Sequence, residues 1–348
     1  MRLPAAGPLL ALCAACAPAS PGPQAIRTED QASGTRALLI AVSPVDERVV
    51  WASGSQGTWL RTTDGGEHWE AGRVPGADTL QFRDVHALDA STAYLLSIGN
   101  GDQSRIYRTS DGGRSWVLQF TNPEPEAFYD CMDFWDARRG IVIGDAVQGR
   151  IAILTTEDAG GTWRRVPEAA LPPAQAGEGS FAASGTCLVT RPGGRAWIVM
   201  SNPDHARVLR TTDFGRSWAI DTLPITTRAG VGPQSIDFRD DGNGVVLGGG
   251  YAAEPSDVLA AATGDGGRSW MPRAGPPMAS GAWGGVYVPG ARRPTLVAVG
   301  PAGSAWSADE GVTWARIDTL NYWSVGFASP RAGWAVGANG RITRLSGF

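Results

Sequence analysis

Thr109-Ser110-Asp111-Gly112-Gly113-Arg114-Ser115-Trp116 is the stretch whose reading decides the fold. A hydroxyl residue, an aspartate two positions on, a glycine two after that and a tryptophan three further recur in six segments. The others are Thr62 to Trp69, Thr156 to Trp163, Thr211 to Trp218, Thr263 to Trp270 and Ser307 to Trp314. Their aspartates, Asp64, Asp111, Asp158, Asp213, Asp265 and Asp309, are separated by 47, 47, 55, 52 and 44 residues. A period of roughly 40 to 50 residues is the mark of a propeller.

Each segment reads as a tight turn. The aspartate can accept bonds from nearby backbone N–H groups, and the glycine takes a positive φ that a side chain would resist. The tryptophans Trp69, Trp116, Trp163, Trp218, Trp270 and Trp314 then leave the turn to pack between sheets, which assigns six of the 14 tryptophans to structure. Alternating runs before the boxes, such as Arg105-Ile106-Tyr107-Arg108, read as a third strand, and two further strands lie upstream of each. A blade is therefore four antiparallel strands.

The segment Trp323 to Leu345 repeats the first three strands without a box. It is an incomplete seventh blade, whose missing strand can come from Gln24 to Arg36. Closing the ring in this way removes an exposed sheet edge. The expected fold is all-β, a seven-bladed β-propeller over residues 35–348 with almost no helix. Forty-seven glycines and 24 prolines agree with many strands and tight turns.

Residues 1–17 begin with Arg2, continue through small and apolar residues, and end in Cys13-Ala14-Ala15-Cys16-Ala17-Pro18. This is read as an export signal too short to span a bilayer, followed by a Pro/Gly/Ser-rich leader over 18–34. Ala14-Ala15-Cys16 resembles a lipoprotein processing site that would leave Cys16 acylated; ordinary cleavage nearby is the alternative. The expected location is periplasmic, membrane-anchored through that lipid alone, or secreted.

Composition narrows the chemistry. The net charge of -4 gives no general attraction to nucleic acid. All 30 basic residues are arginine, so a Walker-type phosphate loop, a Schiff base and a Ser-Lys dyad are excluded. His68, His86 and His205 are scattered, with His68 at the hydroxyl position of the first box. No metal site, cofactor or His-based triad is expected from that spacing.

The boxes resemble those of neuraminidase-type (BNR) Asp-box repeat proteins. The forms Gly333-Trp334-Ala335-Val336-Gly337-Ala338-Asn339-Gly340-Arg341-Ile342 and Leu60 to Gly66 are similar to the photosystem II assembly and stability factor family, over about residues 36–348. That resemblance implies a seven-bladed, non-catalytic scaffold that binds a protein partner; the chain itself is expected to be a monomer. The enzymatic alternative is a glycoside hydrolase of sialidase type. Sialidases carry an Arg-Ile-Pro segment before the first box, whereas this chain has only Arg73-Val74-Pro75 and Arg165-Val166-Pro167, both after boxes.

Three further expectations concern single residues. Arg61, Arg108, Arg210 and Arg344 occupy one repeated position, read as long side chains covering their neighbours in preference to a basic strip. Cys131 and Cys187 fall at equivalent sites of blades three and four. Export favours a disulfide, but equivalent side chains should point the same way around the ring, so two free thiols are expected. Finally, the longer turns and crossings cluster in blades two to five on the face opposite the boxes. Glu124, Glu126, Tyr129, Asp145, His205, Tyr251 and Glu254 are the expected partner contacts there.

Overall fold

A computed structural model describes residues 26–348. The export signal, Cys16 and most of the leader lie outside the described residues. Seven four-stranded sheets form the molecule, each antiparallel and each meandering from an inner to an outer strand. Blade 2 is representative, with strands Phe82–Ala87, Ala93–Ser97, Arg105–Thr109 and Val117–Thr121. Apart from strands there are three short 3-10 turns, and no helix among the described residues is long and apolar enough to cross a membrane.

The ring closes as the sequence implied. Arg27–Gln31 pairs antiparallel with Arg341–Ser346 as the outermost strand of blade 7, in register from Arg27 opposite Ser346 to Gln31 opposite Ile342. Gln31 continues the clasp into blade 1, where its Nε2 donates to the Gly65 carbonyl at 3.1 Å and its Oε1 accepts from Trp69 Nε1 at 3.1 Å. The strand Arg27–Gln31 is thus held by a ladder to blade 7 and, through Gln31, by the first box.

The middle strands of each blade carry the core. Leu95, Val142, Ile198, Val246, Ala298 and Ala335 are all buried, because both faces of a middle strand meet a neighbouring blade. Packing between blades is aromatic: Trp116 lies 6.2 Å from Trp51 and 5.9 Å from Trp59, and Phe238 stacks on Trp197 at 3.8 Å.

The six boxes share one geometry. In blade 2, Thr109 Oγ1 donates to Asp111 Oδ1 at 2.9 Å and accepts from the Gly113 N–H at 2.9 Å. Asp111 Oδ1 accepts the Ser115 N–H at 2.9 Å and Oδ2 accepts the Ser115 hydroxyl at 2.6 Å. In blade 1 His68 takes the serine's part, with Nδ1 2.8 Å from Asp64 Oδ2. Gly113 has φ +87, and a Cβ there would stand 2.4 Å from the Trp59 ring, so glycine serves both the turn and the packing of the preceding blade.

Candidate functional site

Because strands alternate direction, the boxes share a face with the turns between first and second strands. The turns between second and third strands, and the crossings between blades, emerge on the opposite face. The sequence-derived contacts fall into small groups there. Glu124 forms an ion pair with Arg165, and Glu126 Oε2 accepts from Gln148 Nε2 at 3.4 Å. His205 is exposed on the turn Asn202-Pro203-Asp204-His205, which Asn202 Oδ1 holds by accepting the N–H groups of Asp204 and His205 at 3.0 and 2.8 Å. Tyr251 is 78% exposed and meets Trp283 edge-on at 4.6 Å, while Glu254 lies 3.8 Å from Arg228.

Two of the seven expected contacts sit elsewhere. Tyr129 is 1% exposed, on the innermost strand of blade 3 against Phe120, so it belongs to the core and offers no surface. Asp145 is not in a turn. The second strand of blade 3 runs to Val147, and the tight turn is Gln148-Gly149, both with positive φ. Asp145 instead stands at an irregularity in that strand, where Oδ1 accepts the Ser180 N–H at 3.2 Å and burial raises its carboxyl to about 6.

The crossing from blade 3 to blade 4 carries a feature that the sequence reading missed. Glu178 is buried and paired with Arg207, and Gly179 bridges to Ser201. The chain then passes over the channel mouth. Arg83 of blade 2 donates to the Ala182 carbonyl at 2.8 Å, Ser184 Oγ donates to the Trp283 carbonyl at 2.7 Å, and Ser324 of blade 7 donates to the Ser184 carbonyl at 2.9 Å. One segment therefore ties blades 2, 6 and 7 across the axis. Its small residues were the available signal: Gly185 has φ +76, and a Cβ there would lie 2.5 Å from Asp84 Oδ1.

Below this strap a cavity of about 260 Å³ is lined by Asp84, His86, Asp133, Asp237 and Tyr287, and reaches Pro44 and Pro289 beside the box-face turns. Its acids hold the ring together. Asp84 Oδ2 accepts the Met132 N–H at 2.6 Å, Asp133 Oδ2 the Thr190 N–H at 2.7 Å and Asp237 Oδ2 the Tyr287 N–H at 2.7 Å. Each bond runs from one blade to the next. Ser43 and Ser235 do the same toward Ala87 and Gly285. Burial pushes the Asp84 carboxyl well up and that of Asp237 to about 6.

Cys131 and Cys187 belong to the same ring and correct the expectation of free thiols: they form a disulfide, with Cα atoms 6.0 Å apart. The innermost strands of adjacent blades converge at the axis, which brings equivalent positions within bridging distance despite their parallel placement. Of the repeated arginines, Arg61 lies over Trp51 at 5.5 Å and pairs with Glu70, Arg108 lies over Tyr94 at 5.7 Å, and Arg210 is held in an ion pair with Asp221. Among the described residues, Asp64, Glu67 and His68 are the grouping whose ligand atoms could approach one cation, but their contacts are those of the box turn.

No protein-family model matches this chain, and no curated protein matches it. Solved structures match this chain over most of its length at low identity. A structure of YCF48 bound to a D1 peptide is 19% identical, with a TM-score of 0.58 over 92% of this chain and 96% of that one. YCF48 from Cyanidioschyzon merolae is 17% identical, with a TM-score of 0.63 over 92% and 98%. The GH74 xyloglucanase from Xanthomonas campestris is 16% identical, with a TM-score of 0.63 over 92% of this chain but 53% of that enzyme. These likenesses establish the propeller fold.

Proposed function

We propose that the chain is an exported Asp-box propeller that binds a protein partner on the face opposite its boxes, over blades two to five, and carries out no catalysis. The observation that carries this reading is the employment of the axial carboxylates. Asp84, Asp133 and Asp237 are each bonded to the backbone of the next blade. A retaining or inverting glycosidase needs two carboxyl groups free to face a sugar in an open cleft. These acids are committed to structure, whereas Tyr251, His205 and Glu254 are presented to solvent on turns of a rigid ring. The D1 peptide held by the similar YCF48 structure is consistent with a propeller of this outline serving as a peptide-binding surface.

The second reading, a glycoside hydrolase, is supported by the GH74 likeness. One experiment separates the two. The chain is immobilised and exposed to envelope extract from its source organism, beside variants in which the Asn202 to Ala206 and Gly250 to Ser256 turns are shortened, and each is also assayed on sialosides and xyloglucan. Specific capture that both shortened variants lose, without hydrolysis, supports the scaffold. Hydrolysis that survives purification to homogeneity supports the enzyme.

A further inference from the structure

The innermost strands of blades 2 and 3 each carry one extra residue where their pairing with the second strand shifts register. In blade 2 it is Arg83, between Phe82 and Asp84, and in blade 3 it is Asp130, between Tyr129 and Cys131. A bulge of this kind re-aims a side chain. The two residues hold equivalent places in adjacent blades, beside the bond that joins Asp84 to Met132. Arg83 is fully engaged. Its Nη1 donates to the Ala182 carbonyl of the strap at 2.8 Å, its Nη2 donates to Gln81 Oε1 at 3.1 Å, and the guanidinium lies 5.0 Å over the Trp323 ring.

Asp130 is not. It is 1% exposed, and its Oδ2 is buried without a hydrogen-bond partner. A carboxyl in that state keeps its proton, because an ionised carboxylate removed from water and from donors is costly. Burial pushes Asp130 well above the ordinary aspartate range, the nearby Asp145 adds to the rise, and Arg83 opposes it. Arg83 is therefore the cation at hand once the proton leaves, and a guanidinium binds a carboxylate more strongly than it binds a carbonyl.

The other charged groups around the strap act in the opposite sense or are already committed. Asp145 Oδ1 accepts the Ser180 N–H at 3.2 Å, so its ionisation tightens the strap. Glu178 is paired with Arg207, and Asp84, which faces Gly185, has its Oδ2 on the Met132 N–H. Asp133 and Tyr251 act only through these groups, as neighbours of Asp84 and Arg83.

We propose that Asp130 and Arg83 form a proton-operated latch on the strap. With Asp130 protonated, Arg83 holds the Ala182 carbonyl; with Asp130 ionised and its proton released to water, Arg83 turns to the carboxylate and lets the strap go. The strap stays anchored on either side, by the bridge of Gly179 to Ser201 and by the disulfide at Cys187, so it lifts as a flap. Lifting opens the cavity below, whose lining includes Ser184, Gly185 and Thr186, toward the face opposite the boxes. The latch needs no partner and stands apart from the scaffold reading.

Amide hydrogen exchange of the full chain, followed on the peptide that contains residues 180–185 from about pH 5 to pH 9 and corrected for the intrinsic rise of exchange with pH, tests it. In the unaltered chain exchange of the strap should rise about tenfold or more across that range. Asp130→Asn, which cannot ionise, should keep the strap protected throughout, and Arg83→Gln should leave it exposed already at pH 5. Asp145→Asn should keep the rise, because Asp145 acts in the other direction. A strap whose exchange is flat or falls with pH in the unaltered chain, a rise that survives in Asp130→Asn, or an Arg83→Gln strap as protected at pH 5 as the unaltered one each overturns the proposal.

Discussion

Cys131 Sγ and the backbone N–H of Cys187 lie 3.2 Å apart beside the disulfide that joins the two residues, so one sulfur serves as covalent link and as acceptor between blades 3 and 4. Where blade 2 meets blade 3 the corresponding place is filled by Asp84, which accepts the Met132 N–H at 2.6 Å. Two positions of the innermost strand thus fasten blade 1 to 2, 2 to 3, 3 to 4 and 5 to 6, by carboxylate, hydroxyl or sulfur.

The disulfide closes a loop of 56 residues, and loop-closure entropy puts its contribution at about 4 kcal/mol, with engineered removal commonly costing about 2 to 5. Alkylation of the folded protein without reductant should leave Cys131 and Cys187 unmodified. Replacing both by alanine should lower the denaturation midpoint in urea with the fold retained. Labelling of either cysteine in the native, unreduced protein would contradict the bridge.

The boxes are predicted to be structural. Trp116 packs against both Trp51 and Trp59, and Trp116→Ala should cost about 3 kcal/mol through the cavity left between blades 1 and 2. Asp111→Ala should lower the melting temperature by less, since the turn stands at the surface. Thermal scans of the two variants beside the unaltered chain decide it, and an unchanged midpoint for Trp116→Ala would refute the packing role.

The fold was legible because its signals are local. A box is a turn, and a turn's demands on Asp111, Gly113 and Ser115 appear within eight residues. The closing strand could likewise be inferred from a blade lacking one, and it lies at Arg27–Gln31 inside the predicted stretch. What escaped reading was set by distance around the ring. The convergence of Cys131 on Cys187, the passage of Ala182 to Ser184 over the channel and the burial of Tyr129 depend on where blades point, which residue spacing does not encode.

Opposed acid shifts predict a stability maximum. Hydrogen bonds from Ser115 and Ser269 hold the Asp111 and Asp265 carboxyls down at about 2, so these groups stabilise the fold above the ordinary aspartate value near 4, and that stability is lost as pH falls toward 2. Burial raises Asp145 and Asp237 to about 6, and Asp84 and Asp130 well up. For these the folded state binds protons more tightly than the unfolded one, so stability rises as pH falls from about 6 to about 4. Melting temperature should therefore peak near pH 4 to 5. A monotonic rise from pH 3 to pH 7 would contradict the assignment of the buried acids.

Removal of residues 26–32 should open the ring. The deletion exposes the edge of Arg341–Ser346 and takes away Gln31, whose side chain bonds both Gly65 and Trp69. Size-exclusion chromatography should then show association or a less compact monomer, together with a lower melting temperature. A monomer of unaltered stability would mean that the clasp contributes nothing.

The most direct test of the account is site-specific photo-crosslinking in envelope extract, with the reactive residue placed at His205, at Tyr251 and, on the opposite face, at Glu67. The account predicts one shared adduct from His205 and Tyr251 and none from Glu67. An adduct formed from Glu67 alone would place the partner on the box face and contradict it.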